Sequence, residues 1–440
     1  MGGVGGVTAR NGPHANYRRS TASNAANIDT IDFDRVAVLE KKLRHDVMAH
    51  VHHFGEVAPA AAGIIHLGAT SEDIGGNTDL LLLRQSLQLI VQRLAGVIDD
   101  IATFGEKHRD VAALGQTHLQ AAQPTTVGKR AMLWCQDFIL CLEELEYRLA
   151  NFRLRGLRGA TGTQASFLEL FKGDAAKVKE LERRFLEKIG AQQAFPITGQ
   201  VYPRIADSQI VGSIGRLAEA AMKMFNDVRI LAHDSEMSEP MSPDQIGSSA
   251  MAYKRNPARS ERGTGISRVL MSQPHIAAQT SVGQFLERTL DDSASRRFTL
   301  PESCLAADSV LLIARNVAQG LEIYPHMIDR NLRRVLPFFA TENILMRATD
   351  KGGDRQQLHE AIRRHSLATR DRMLAGGDND LLDRLKGDAL FANVDVEAAT
   401  DPKLFVGLAP EQVAMFVAEY VAPIRTRYAS TLGRQVELKV

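Results

Sequence analysis

Apolar residues recur at steps of three and four from Leu80 onward, at Leu80, Leu83, Leu87, Ile90, Leu94, Val97, Ile101 and Phe104. A seam of that kind predicts a long helix packed lengthwise against others. A second helical pattern covers residues 127–152, and no proline stands between Thr125 and Phe195. A third covers roughly residues 206–233, opened after Pro203 and stopped before Pro240. A fourth runs from about Ser260 with an interruption near Pro274, and a fifth from about Leu300. Strand signals are sparse and no βαβ alternation appears. The pattern predicts a mainly α protein with a long-helix bundle at its centre.

Polar punctuation separates these helices. Residues 66–78, 114–126, 159–166 and 239–257 are rich in Gly, Ser, Thr, Gln and Pro. They fall at helix ends, where side chains can converge on a ligand. From about Leu336 the chain is broken by Gly352-Gly353, Gly376-Gly377 and Pro402, which predicts a smaller C-terminal helical domain. The expected divisions are a disordered Gly-rich head over residues 1–22, a short N-terminal helical domain over 23–78, and a central bundle over 79–335. That bundle carries a loop at 240–262, and the C-terminal domain covers 336–440.

Composition narrows the partners. Of 440 residues, 44% are hydrophobic and 24% charged, as in a globular protein with a sizeable core. Lys and Arg number 53 against 52 Asp and Glu, so the totals favour neither nucleic acid nor an anionic membrane as partner. No apolar run approaches the roughly eighteen residues of a membrane span. The first residues lack a secretory pattern, Gly6 breaks the myristoylation motif, and no Gly-Lys-Ser/Thr makes a phosphate loop. Cys135, Cys141 and Cys304 are odd in number and have no zinc spacing, which predicts buried thiols and a cytoplasmic location.

The richest stretch is Gly247-Ser248-Ser249-Ala250-Met251-Ala252-Tyr253-Lys254-Arg255-Asn256-Pro257. A turn of small residues, two hydroxyls, a cation and an amide suit a mobile loop closing over a carboxylate. The run resembles the signature loop of the fumarase/aspartase superfamily of lyases, in which the first serine of the pair is the catalytic base. Such a lyase removes a proton from a carbon beside a carboxylate and protonates the departing nitrogen or oxygen. Ser248 is then the candidate base. Its alkoxide needs nearby cations and backbone N–H groups, and Lys254 and Asn256 stand on the same loop. A polar turn with capping serines would account for Ser248-Ser249 alone, but not for the whole run.

His118, beside Thr117 and Gln120, is the candidate acid, since an imidazole's ordinary pKa of about 6.5 suits proton transfer near neutrality. Taken by itself it fits a structural histidine as well. Arg44-His45-Asp46, with His50, His52 and His53 close by, invites a metal reading. No HExxH or other zinc spacing is present, and His45 and His50 would lie on different helix faces. A grip on an anionic substrate suits the triplet better, and neither metal nor cofactor is expected. Arg262, Arg288, Ser293 and Arg297 supply further donors for carboxylate or phosphate.

With these residues in view, the chain resembles the adenylosuccinate lyases, of the type found in animals, over about nine-tenths of its length. The shared blocks include Arg44-His45-Asp46 with its flanks, Ile64 through Ser71, Thr161 through Phe167, Ile197 through Gln200 and Phe285 through Ser293. The resemblance implies release of fumarate from adenylosuccinate, giving AMP. It also implies the parallel cleavage of succinylaminoimidazole carboxamide ribotide, giving aminoimidazole carboxamide ribotide in purine biosynthesis. Carried over, Ser248 matches the base and His118 the general acid, with Arg44, His45, Asp46, Thr70, Ser71, Thr117, Gln200, Lys254, Asn256, Arg262, Arg288, Ser293 and Arg297 as substrate contacts. It implies no metal or organic cofactor, and a cytoplasmic homotetramer whose active sites are shared between subunits.

The chain departs from the family pattern in places. Ala252 and Ala121 stand where the family has proline, which should loosen both loops slightly. At the front, a family segment with a phosphate-binding Arg-Tyr pair is replaced by the Gly-rich head ending in Tyr17-Arg18-Arg19-Ser20. Two other readings follow. One is an impaired, shortened form acting as a structural partner in mixed tetramers; the other is a different fumarate-releasing lyase of the superfamily.

Overall fold

The computed structural model describes residues 28–242, 244–433, 435, 436 and 438. The expected disordered head over residues 1–22 lies outside the described residues. What is described is helical almost throughout. Two helices, α1 (Phe33–Leu43) and α2 (Asp46–Val57), precede the long α3 (Ser71–Lys107). A hairpin follows, β1 (Ala112–Thr117) and β2 (Gln120–Thr126), then α4 (Val127–Ala150), α5 (Ala165–Leu170), α6 (Ala175–Lys188) and α7 (Ile205–His233). Next come β3 (Met237–Ser238), α8 (Ala258–Val282), α9 (Asp292–Gly320) and β4 (Glu322–Ile323). The chain closes with α10 (Pro325–Arg333), α11 (Leu336–Asp350), α12 (Arg355–Leu374), α13 (Leu381–Lys386), α14 (Ala409–Phe416) and α15 (Ala422–Arg427).

Two compact units result, each drawn from three stretches of chain. The first runs up to Val91 and adds Glu143–Arg216 and Val269–Ala306; the second comprises Gln92–Leu142, Leu217–Arg268 and Ala307–Val440. The boundary falls inside α3, α4, α7, α8 and α9.

In the first unit Ser213 of α7 donates to Glu144 of α4 at 2.8 Å, Pro274 of α8 abuts Gly215, and Thr280 meets Ser295 of α9 at 2.8 Å. In the second, Trp134 of α4 donates to Asp227 of α7 at 2.7 Å, and Gly263 of α8 lies against the Phe225 ring. Arg315 of α9 pairs with Asp100 of α3 at 2.8 Å and fills the space left by Gly96. The predicted seam of α3 is buried from Leu80 to Phe104. Farther on, α11 to α13 close over Ala340, Ile344, Leu358, Ala361, Leu381, Leu385 and Phe391. These helix-on-helix contacts give the mainly α, long-helix architecture that the periodicity predicts.

Local expectations fail where polar residues hide structure. Residues 71–78, expected as loop, are the first turns of α3, because the Asp73 carboxylate accepts the Thr70 N–H at 2.8 Å and starts the helix. Residues 114–126 form most of a hairpin rather than an irregular loop. Pro274 does not interrupt α8, since its ring packs into the gap at Gly215 and contact there offsets the lost N–H. The last long helix starts at Asp292, not Leu300; its polar first turns carry no apolar signal. His45 caps α2 instead of lying within it. Cys135 and Cys141 are buried as expected, but Cys304 is half-buried.

Candidate active site

The first unit holds a cavity of about 690 Å³ lined by Arg44, His45, Asp46, Ser71, Arg288, Ser293 and Arg297 among others. Its geometry begins at the end of α1. Arg44 takes a left-handed backbone (φ 55) and donates its N–H to the Glu40 carbonyl at 2.7 Å. Glycine is the usual choice there, and a side chain costs about 1 kcal/mol. His45 then caps α2: its Nδ1 accepts the Met48 N–H at 3.3 Å. That leaves the proton on Nε2, which faces Ser71 Oγ at 3.3 Å. Asp46 accepts the Val47 N–H at 2.7 Å and lies 3.9 Å from the Arg297 guanidinium. His53 is buried and occupied elsewhere, accepting the Asp32 N–H at 2.8 Å and contacting Glu56 at 3.1 Å.

Thr70 and Ser71 are fixed from below. Besides the Thr70 N–H, buried Asp73 accepts N–H bonds from Arg158 at 2.7 Å and Gly159 at 3.1 Å, and it pairs with fully buried Arg155. The pair with Arg155 has no signal in the sequence, although Thr70-Ser71-Glu72-Asp73 has the spacing of a capping motif. Gln200 stands behind Arg288 of the cavity lining. Its side-chain oxygen accepts from Arg288 at 3.2 Å and its N–H donates to the Glu287 carbonyl at 3.1 Å. Gly199 permits that approach, since an added Cβ would lie 2.6 Å from the Glu287 oxygen.

Cys304 also lines the cavity, and burial pushes its thiol up to about 11. Its alkylation by iodoacetamide at neutral pH should run about a hundredfold slower than that of an ordinary thiol and accelerate as pH rises toward that value. Mass spectrometry of labelled peptides checks this; rapid labelling near neutrality would contradict it.

The second unit holds the remaining residues. His118 and Leu119 are the two central residues of the hairpin turn between paired Thr117 and Gln120, at φ 57 and 56. A turn with two positive φ values normally takes Asn-Gly. Two ordinary side chains there are strained, and strain of this kind is a reason to suspect function. Thr117 and His118 are exposed, and His118 makes no hydrogen bond or ion pair among the described residues. The base of the hairpin is held firmly: Arg130 donates to the Leu114 carbonyl at 2.7 Å and Gln116 to Asp234 at 3.1 Å. Ala121 lies in the ladder opposite Gln116.

The loop containing Ser248 is anchored at both ends. Buried Glu239 accepts the N–H groups of Arg259 at 2.7 Å and Ser260 at 2.9 Å, capping α8. Pro240 packs against Gly320. Between these anchors, Ser248 Oγ accepts the N–H groups of Met251 at 3.2 Å and Ala250 at 3.4 Å. Asn256 donates to the Gly247 carbonyl at 2.9 Å, and the Lys254 N–H to the Met251 carbonyl at 3.0 Å. Lys254, Asn256 and Arg262 are exposed. A Cβ at residue 247 would lie 2.2 Å from the Lys254 carbonyl oxygen. Gly247→Ala should therefore shift the Ser248 turn and lower kcat about a hundredfold, the scale of a 1 Å misplacement, with the melting temperature nearly unchanged. Steady-state kinetics beside circular-dichroism melting checks both.

The expected site residues thus form two groups. Arg44, His45, Asp46, Thr70, Ser71, Gln200, Arg288, Ser293 and Arg297 belong to the first unit. Thr117, His118, Ser248, Lys254, Asn256 and Arg262 belong to the second.

Known proteins resemble more than nine-tenths of the chain. The profile of a family described as Lyase matches residues 14–272, and that of a family described as Adenylosuccinate lyase C-terminus matches residues 337–416. The adenylosuccinate lyase of Saccharomyces cerevisiae is 46% identical over 411 residues, 92% of this chain and 85% of the relative. That of Schizosaccharomyces pombe is 44% identical over 413 residues, 93% and 86% of the two chains. Among solved structures, a fumarate lyase from Mesorhizobium sp. BNC1 superposes with a TM-score of 0.79 at 21% identity, covering 95% of this chain and 93% of the other. A 3-carboxy-cis,cis-muconate lactonizing enzyme from Pseudomonas putida gives 0.78 at 20% identity over 97% and 93%. At such identities these two structures speak to the fold, that of the fumarate lyases. Among the described residues no helix is long and apolar enough to cross a membrane.

Proposed function

Because the chain belongs to the adenylosuccinate lyases of the fumarase/aspartase superfamily, we propose that it eliminates fumarate from adenylosuccinate, leaving AMP. It is a carbon–nitrogen lyase of purine biosynthesis, and it cleaves succinylaminoimidazole carboxamide ribotide by the same chemistry. The observation that carries this reading is 44–46% identity over more than nine-tenths of the chain to enzymes of that name.

Ser248 acts as base. Its alkoxide abstracts a proton from the succinyl methylene carbon, next to the carbon that bears the departing nitrogen, and the electron pair forms the fumarate double bond as that C–N bond breaks. The proton that the leaving nitrogen needs comes from His118. Two N–H groups already aimed at Ser248 Oγ support this assignment, because they stabilise an alkoxide there. The same two bonds also make an ordinary serine turn, so the geometry serves loop and chemistry alike.

Arg44, His45, Ser71 and Arg297 grip the anionic substrate in the first-unit cavity, with Asp46, Thr70, Gln200, Arg288 and Ser293 shaping it. Thr117, Lys254, Asn256 and Arg262 complete the site. The protein works in the cytoplasm as a homotetramer whose sites are shared between subunits, with Ser248 and His118 contributed by neighbouring protomers. Purified protein given adenylosuccinate should show falling absorbance at the purine band as AMP and fumarate form. Absence of turnover by the full chain would refute the reading.

A further inference from the structure

One wall of the first-unit cavity rests on a closed ring of four charged side chains. Arg288 reaches Glu72 at 3.1 Å and Asp292 at 3.8 Å, while Arg204 reaches Asp292 at 2.7 Å and Glu72 at 3.6 Å. Two guanidiniums and two carboxylates alternate, so the ring is neutral. Asp292 and Arg204 are fully buried, and Glu72 and Arg288 nearly so. Several atoms in it, among them Arg288 Nε, Glu72 Oε2 and Asp292 Oδ1, are buried without a hydrogen bond among the described residues. Such a ring is held by charge rather than by a full set of directed bonds, and removing one member leaves the others uncompensated.

The ring changes what Arg288 can do. Its charge is matched by Glu72 and Asp292, and its remaining directed bond goes to the Gln200 side chain at 3.2 Å. Arg44, by contrast, makes no ion pair among the described residues, and Arg297 meets only the exposed Asp46 at 3.9 Å. Glu72 also follows Ser71, the partner of His45. It therefore ties the His45 side of the cavity to Arg288 and, behind Arg288, to Gln200.

We propose that Glu72 is a positioning residue for substrate binding: through Arg288 it fixes the Gln200 amide, while Arg44 and Arg297 supply the positive charge that meets the substrate's anionic groups. The proposal rests on the reading of this cavity as the substrate site.

Three variants test it. Glu72→Ala should raise KM for adenylosuccinate about tenfold with kcat within about twofold, the scale of one lost charge-assisted hydrogen bond. Glu72→Gln keeps an acceptor oxygen for Arg288 but removes the charge, and should raise KM about threefold, less than alanine does. Glu72→Asp retracts the carboxylate by one methylene and should raise KM between these limits; it decides the matter if the alanine variant does not fold. A crystal structure of Glu72→Ala, or of Glu72→Asp in its place, should show the Arg288–Gln200 contact broken. A purely structural Glu72 would lower the melting temperature and leave KM of the folded enzyme unchanged, which would overturn the proposal. So would an intact Arg288–Gln200 contact in the variant crystal. Native protein that turned over no adenylosuccinate would instead refute the functional reading, and the crystal comparison would still decide the role of Glu72.

Discussion

Ser248→Ala should lower kcat for adenylosuccinate by about 10³-fold, within the span that loss of a general base produces. The substitution removes one oxygen from an exposed loop whose anchors, Glu239 and the Pro240–Gly320 contact, do not involve it. Assembly and melting temperature should therefore stay as in the native protein. His118→Ala should do comparable damage for the same reason, since the imidazole has no structural partner among the described residues. Mixing separately inactive Ser248→Ala and His118→Ala proteins should restore activity. If each site takes these residues from different subunits, random exchange leaves about a quarter of sites with both native groups. Native turnover in folded Ser248→Ala would remove the mechanism. Absence of any recovery after subunit exchange, verified by mass spectrometry, would remove the shared site.

The second large effect is on stability. Asp73→Asn should cost about 3–5 kcal/mol, the usual loss when a buried pair keeps only one of its charges. The guanidinium of Arg155 would remain fully buried and cannot shed its proton. Arg155→Met should be milder, because the carboxylate it strands still accepts N–H groups from Thr70, Arg158 and Gly159 and can take up a proton. Denaturant unfolding of the three proteins ranks them; equal stability of Asp73→Asn and the native protein would refute the argument. Because Asp73 also sets Thr70 and Ser71, its loss should raise KM in whatever fraction remains folded.

The difference between these two predictions mirrors what the chain makes legible. Ser248, His118 and the arginines stand in polar loops with unusual composition, so their chemistry is readable in one dimension. The α3 seam is readable because eight apolar residues keep one period from Leu80 to Phe104. Asp73, Arg155, Glu72, Asp292 and Arg204 are charged residues that look like solvated surface until the fold buries them together. Their partners lie many tens of residues away in sequence, and no local rule links them. The first turns of α3 and α9 were hidden for the same reason: each opens on residues that resemble loop by composition, and each helix is secured by contacts made elsewhere in the fold. The hairpin at His118 is not legible in the sequence because its turn violates the residue preference that would ordinarily announce it.

Each compact unit is assembled from three separated portions of the polypeptide, and the divisions fall within five helices. Neither unit therefore corresponds to an uninterrupted stretch of gene. A break in the coding sequence anywhere between Gln92 and Ala306 divides both cores, so neither product would then carry either unit whole.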